Sequence, residues 1–297
     1  VTIPEQQLNT WSKIGSITGS SQTYNLIKET LEDSVAPYNG KSYSVFLQGS
    51  YANDTNIIGE SDVDIVIVLK DCWQSDLSGL DEPQKAAYKQ AFVDATYGHA
   101  DFKRDVLNVL RNEYGNEVEP GNKALYVPPS PARRSTDVIV AVQFRRYFRF
   151  NGVNDQSYIE GVCFHDTAGN RIANYPQQHS ESMTRRHQDS NGWLKPMVRI
   201  FKNARTKLVD DGMLQAGMAP SYYLEGLLYN APLTCFESNY GTAFLRVLQW
   251  MHGAQDANDW VTANGQYYLL RDGFQTCWPS ANYAAFKNAI IDQWNAW

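Results

Sequence analysis

Cysteine is scarce in this chain and nowhere clustered. Cys72, Cys163, Cys235 and Cys277 lie far apart, and no Cys-x-x-Cys pair occurs among the 297 residues. That spacing excludes a thiolate zinc site and a disulfide framework, leaving reduced, mostly buried thiols as the expectation. The five histidines are scattered as well. No apolar run approaches the length needed to cross a bilayer. The first residues have neither the apolar core of a secretion signal nor the charge pattern of a transit peptide, which makes the cytoplasm the expected location. Positive charge is in deficit, with 26 Lys and Arg against 32 Asp and Glu and a net charge of −6. Tight binding to a polyphosphate backbone draws on clustered cations, so no DNA or RNA template is expected. A nucleotide needs only a local basic patch. Internal repeats and low-complexity tracts are also missing.

What is present is an ordinary globular composition, 43% hydrophobic and 20% charged, in a chain long enough for two packed lobes. Its most informative stretch runs from Phe46 to Leu69. The apolar run Val45-Phe46-Leu47 ends at Gly49-Ser50, where a strand hands the chain to a turn whose N–H groups and hydroxyl can meet phosphate oxygens. After a polar, Asn-rich segment, Asp62-Val63-Asp64 opens the buried-strand pattern Ile65 to Leu69. Side chains alternate along a strand, so Asp62 and Asp64 share a face while Val63 and Ile65 enter the core. Two carboxylates beside a phosphate cradle suit Mg²⁺, which takes few protein carboxylates and completes its shell with water and substrate phosphates.

Along the chain, apolar spacing predicts a helix over 10–38 with a break or cap at Ser20-Ser21, then a strand over 41–47. Helix is expected again over 82–114, interrupted at Gly98, followed by a short strand at 124–127 and a Pro-rich connection. The Asp137 strand runs on toward Phe144, and two short strands fall between Tyr158 and Tyr175. The polar stretch after Pro176 suits either a substrate-lining loop or a plain connector. From Trp193 the chain turns helical, with Leu194, Met197, Val198, Phe201, Ala204 and Leu208 in one apolar stripe. The opposite stripe, Lys195, Arg199 and Lys202, has the pattern of a solvated surface. A further helix begins at Pro220-Ser221-Tyr222, where free N–H groups favour a phosphate and Tyr222 offers a flat face to a base. A helix cap followed by a core tyrosine is the plainer alternative. The aromatic C-terminal region, including Trp250, Trp260, Trp278, Trp294 and Trp297, is read as further helices and core.

The Gly-Ser turn followed by Asp-x-Asp on an apolar strand resembles the signature of DNA polymerase beta-type nucleotidyltransferases. That family needs a third carboxylate on a neighbouring strand, and Asp137 stands at the head of the next most β-like run. Together with Lys202 and Ser221-Tyr222, the pattern resembles the cGAS/DncV-like nucleotidyltransferases (CD-NTases), and the segments around Gly49, Asp62, Asn174, Lys202 and Ser221 most resemble the clade E (CdnE) enzymes. The resemblance implies an α+β protein. A mixed-sheet nucleotidyltransferase core with a long N-terminal helix (1–175) would pack on a helical, oligoadenylate-synthase-like lobe (176–297), with the active site between. It implies that Asp62, Asp64 and Asp137 hold two Mg²⁺ ions, with Mn²⁺ as a substitute. Gly49, Ser50, Lys202 and Ser221 would hold the donor triphosphate, and Tyr222 would stack on its base. Asn174 would favour uracil, its amide offering a donor and an acceptor to O4 and N3–H, although a turn residue bonding its own backbone fits the same position. The implied product is a cyclic dinucleotide with at least one uracil, cyclic di-UMP or cyclic UMP-AMP, made from UTP and ATP in bacterial anti-phage (CBASS) signalling and activating a separate effector protein. Two rivals share parts of this pattern: an RNA-tailing nucleotidyltransferase, which the acidic balance disfavours, and a catalytically silent nucleotide sensor.

Overall fold

The computed structural model describes residues 2–59, 62–254 and 257–297. Gln255 and Asp256, within the region read as C-terminal helices, lie outside the described residues. In chain order the first half contains α1 (Glu5–Trp11), α2 (Thr18–Leu31), β1 (Tyr43–Gln48), α3 (Gly49–Ala52), β2 (Val63–Asp76), α4 (Glu82–Ala91), α5 (His99–Tyr114), β3 (Glu119–Pro120), β4 (Leu125–Val127) and β5 (Thr136–Gly152). The second half adds β6 (Asp155–His165), β7 (Arg171–Asn174), α6 (Pro176–Asp189), α7 (Leu194–Asp210), α8 (Ser221–Asn230), α9 (Tyr240–Gly253) and α10 (Ser280–Ala296). The chain divides into two compact units. One comprises 18–48 and 61–176, and the other 1–17, 49–60 and 177–297. The last break between them falls at 176/177. Residues 1–17 and 49–60, however, group with the C-terminal helices rather than with the sheet.

The first unit is built on a seven-stranded mixed sheet. Its order is β1-β2-β5-β4-β3, with β6 joined to β5 and β7 to β6. Strands β2 and β5 run parallel, and the other pairs are antiparallel. Residues 65–69 of β2 are all buried, as a continuous apolar run in a strand covered on both faces requires. Both long strands outrun that signal: β2 continues to Asp76 and β5 to Gly152. Past Leu69 the ladder carries arginines and polar residues on a less covered surface, so apolar pattern alone marked its end too early. Helix α4 is capped by Asp81, whose carboxylate accepts the Gln84 N–H at 2.9 Å. Phe102, Val106 and Leu110 bury the inner face of α5.

The second unit is helical around α7, whose predicted apolar stripe is fully buried. Trp260, Trp278 and Trp294 belong to its core, with Trp250 and Trp297 packed at the margin. The N-terminal segment is tied in by Glu5, whose carboxylate accepts the Tyr240 and Gly241 N–H groups at 2.9 and 2.7 Å, where α9 leaves its first donors unpaired. The single helix expected over 10–38 is therefore two. Its break falls at 12–17 rather than at Ser20-Ser21, because the Asn56 carbonyl takes the Gly15 N–H at 3.0 Å and holds that stretch out of helix. The polar stretch after Pro176 is neither loop nor plain connector. It is α6, which buries His179 and Met183 beneath a polar outer face. All four cysteines are free thiols, three of them buried. Among the described residues, no helix is long and apolar enough to cross a membrane.

Candidate functional site

Strand pairing decides where the carboxylates stand. In the parallel pair β2/β5, Asp64 is the register partner of Asp137, and across the antiparallel pair β1/β2 it faces Gln48. Register partners point to the same face from strands about 4.8 Å apart. Asp64 and Asp137 are thus half-buried neighbours at the strand mouths. Asp62 lies just ahead of β2, exposed and unsupported by the ladder. Its carboxylate accepts the Ser135 hydroxyl. Among the described residues, no three His, Cys, Asp or Glu side chains are gathered as an ion cage. The donor set nevertheless fits a hard divalent cation. Its members are all oxygens, and the Gln48 Oε1 beside Asp64 is buried with no hydrogen-bond partner among the described residues. Burial, and then the negative charge of Asp62, push the Asp137 carboxyl above the usual carboxylate range. A bound cation would relieve both causes.

The same face of the sheet continues through Val66, Val68, Ile139 and Ala141 to Val162, Phe164 and Ile172, a small apolar cluster. Asn174 pairs with Val162 on the edge strand β7 and shares that face. Its Oδ1 accepts the Tyr175 N–H at 2.9 Å. The backbone-bonding alternative foreseen for Asn174 is therefore present. It leaves the amide offering chiefly its N–H donors, which match a carbonyl acceptor such as uracil O4.

The other five predicted residues belong to the helical unit. Gly49, one residue after Gln48, has φ +72°, a left-handed value that turns the chain abruptly out of β1. The Gly-Ser turn expected here is α3, a single helical turn that buries Tyr51. Beyond it, the Ser50 carbonyl accepts the Thr55 N–H at 2.9 Å. Lys195, Arg199 and Lys202 do not form the solvated stripe their pattern suggested. They are 8%, 8% and 0% exposed. Each cation is met by the 54–55 segment: Lys195 donates to the Asp54 carboxylate at 2.9 Å, Arg199 to the Asp54 carbonyl, and Lys202 to the Thr55 carbonyl at 2.9 Å. Ser221 opens α8. Tyr222 stacks on His179, with centroids 5.2 Å apart and planes 24° apart, and its hydroxyl accepts from the Asn264 amide at 2.9 Å. Burial is the main reason its phenol is pushed up to about 12. One face of the ring is thus already covered by a side chain.

Sequence reasoning missed Glu225, one helical turn beyond Ser221 on α8. It accepts from Thr55, from Asn53 at 3.3 Å and from His179 at 2.6 Å. A glutamate inside an otherwise apolar helical run was the available signal.

A mixed sheet with paired aspartates at its strand mouths, entered by a Gly-Ser turn, defines the nucleotidyltransferase class, and residues 27–119 match the nucleotidyltransferase domain. Residues 181–295 match the cGAS/DncV-like nucleotidyltransferase C-terminal helical domain. The chain is 37% identical to a cyclic UMP-AMP synthase of Rhodothermus marinus, covering 99% of each chain. It is 31% identical to a cyclic dipyrimidine nucleotide synthase CdnE of Legionella pneumophila, covering 98% of this chain and 97% of that one. A solved structure of the Rhodothermus marinus CdnE c-UMP-AMP synthase with Apcpp and Upnpp superposes with a TM-score of 0.88 at 35% identity, covering 99% of this chain and 97% of that one. The chain belongs to the cGAS/DncV-like nucleotidyltransferases, within their CdnE clade of cyclic nucleotide synthases. Nucleotidyltransferases of this family use divalent metal ions.

Proposed function

We propose that this protein joins nucleoside triphosphates into a cyclic dinucleotide containing at least one uracil, cyclic UMP-AMP or cyclic di-UMP. The observation that carries this reading is the register pairing of Asp64 with Asp137, since it puts two carboxylates from separate parts of the chain side by side on one rigid edge. Asp62, Asp64 and Asp137 would hold two Mg²⁺ ions. When bound, the ions supply Lewis-acid polarisation of the phosphate, activation of the attacking hydroxyl and neutralisation of the leaving group. Ser50 and the N–H groups of its turn, with Lys202 and Ser221, would hold the donor triphosphate, and Tyr222 would receive its base on the face opposite His179. A ribose 3′-hydroxyl then attacks the α-phosphate and pyrophosphate leaves. The linear intermediate turns over, and its remaining 3′-hydroxyl closes the ring in the same way. The residues contribute position and charge, and no histidine serves as base. Asn174 would bias the choice toward uracil through its N–H donors. The product would serve as a second messenger in the anti-phage signalling of a bacterial cytoplasm, activating a separate effector protein.

Pyrophosphate release, measured with each nucleoside triphosphate and each pair in Mg²⁺, tests the reaction. Turnover that is highest when UTP is present is the expected result. Nucleotide binding by titration with no pyrophosphate released in Mg²⁺ or Mn²⁺ would instead identify a silent sensor, and turnover only on an added RNA would identify a tailing enzyme.

A further inference from the structure

Glu225 is 4% exposed, yet its carboxylate is the meeting point of four segments of the helical unit. The Thr55 hydroxyl and the Asn53 amide reach it from the segment after α3, His179 reaches it from α6, and Glu225 itself stands on α8. From α7, Lys202 donates to the Thr55 carbonyl and adds its charge nearby. Burial alone would raise the carboxyl's pKa. The hydrogen bond and charge of His179, the Thr55 hydroxyl and Lys202 outweigh it, and the pKa is lowered. The group is therefore ionised in the interior. Stability does not call for such an arrangement, since apolar side chains of similar volume commonly serve as well or better. What the carboxylate does accomplish is geometric. Thr55 is bonded through its N–H to Ser50, Lys202 is held through Thr55, and His179 lies flat against Tyr222.

We infer that Glu225 is the positioning residue of the donor-nucleotide site, fixing the Gly49-Ser50 turn and Lys202 through Thr55, and the Tyr222 ring through His179. This rests on the reading above that those residues hold the donor nucleotide. Glu225 touches no nucleotide and acts only through its partners.

The test compares Glu225→Gln, Glu225→Asp and Thr55→Val with the unaltered chain, in steady-state kinetics and in titration with a non-hydrolysable nucleoside triphosphate. Glutamine puts an N–H₂ group where donors converge, whereas aspartate keeps the charge. Losing hydrogen bonds to a charged group should raise KM and the analogue's Kd about ten-fold or more in Glu225→Gln. Thr55→Val should show a smaller rise, Glu225→Gln combined with Thr55→Val no more than Glu225→Gln alone, and Glu225→Asp a partial return toward normal. A merely structural role gives a different pattern: a lower Tm and kcat from fewer folded molecules, with KM and Kd unchanged. That pattern in Glu225→Gln overturns the inference. If Glu225→Gln does not fold, unchanged KM and Kd in folded Thr55→Val overturn it. Normal affinity in an active enzyme counts against Glu225 alone, whereas an unaltered chain that neither binds nor turns over any nucleotide removes the underlying reading as well.

Discussion

At the scale of single residues, the roles proposed for Asp64 and Asp137 lead to two separate tests, one of turnover and one of stability. Asp64→Ala should lower turnover by at least about 10³-fold, as loss of a group acting on transition-state charge does, while the folded protein keeps its Tm within a few degrees. Rates of pyrophosphate release beside a melting curve check this, and normal turnover in the folded variant would remove Asp64 from the site. Asp137 makes the opposite demand on the fold. Its pKa is raised by burial and by Asp62, so the native state binds more protons than the unfolded chain in the window above the ordinary carboxylate value. Stability therefore falls as pH rises through that window. At neutral pH in chelator, Asp137→Asn should melt higher than the unaltered protein, and it should lose the further gain that Mg²⁺ gives the latter. Equal melting temperatures at pH 7 in chelator would show that the ionised carboxylate carries no cost. Asn174→Ser should lower the use of UTP relative to ATP by about ten-fold, the worth of one well-placed hydrogen bond. An unchanged product ratio would leave Asn174 as a strand-end residue bonded to Tyr175.

Secondary-structure elements show which features the sequence made legible. The buried centre of β2, the Asp137 strand and the apolar stripe of α7 were readable because burial leaves a run or a period. Strand lengths beyond Leu69 and Phe144, the break over 12–17 and helix α6 were not, because tertiary hydrogen bonds and a thin buried face decide them. The cations of α7 show the same limit. Their spacing matched a wet surface, but the carbonyls and carboxylate of 54–55, with the Ser12 carbonyl that also accepts from Arg199, lie far away in sequence and meet them in the interior. Gly161 on β6 was equally silent. A Cβ there would sit 2.6 Å from the Asn174 carbonyl oxygen and 2.9 Å from the Tyr175 ring. Gly161→Ala should therefore displace the end of β7, cost about 1–3 kcal/mol as overpacking does, and alter base preference along with Tm. Unchanged stability and product ratio would show that β7 gives way freely.

For the molecule as a whole, the fold class and the family were legible because few residues carry them: a turn after β1, aspartates at two strand mouths, and Ser-Tyr at a helix start. The division into units was less so, since residues 1–17 and 49–60 join the helices through contacts that leave no local pattern. The turn that would bind phosphate is consequently anchored to the helical unit by Glu225 and the α7 cations, although it follows a strand of the sheet. What these parts make together is a question of product. The most direct measurement is mass spectrometry of phosphatase-resistant products after incubation with UTP, ATP and Mg²⁺, alone and in pairs. The structure predicts a cyclic dinucleotide that contains uracil, made by the unaltered chain and absent with Asp64→Ala. Only linear or RNA-linked products, or none under any pairing, would contradict it.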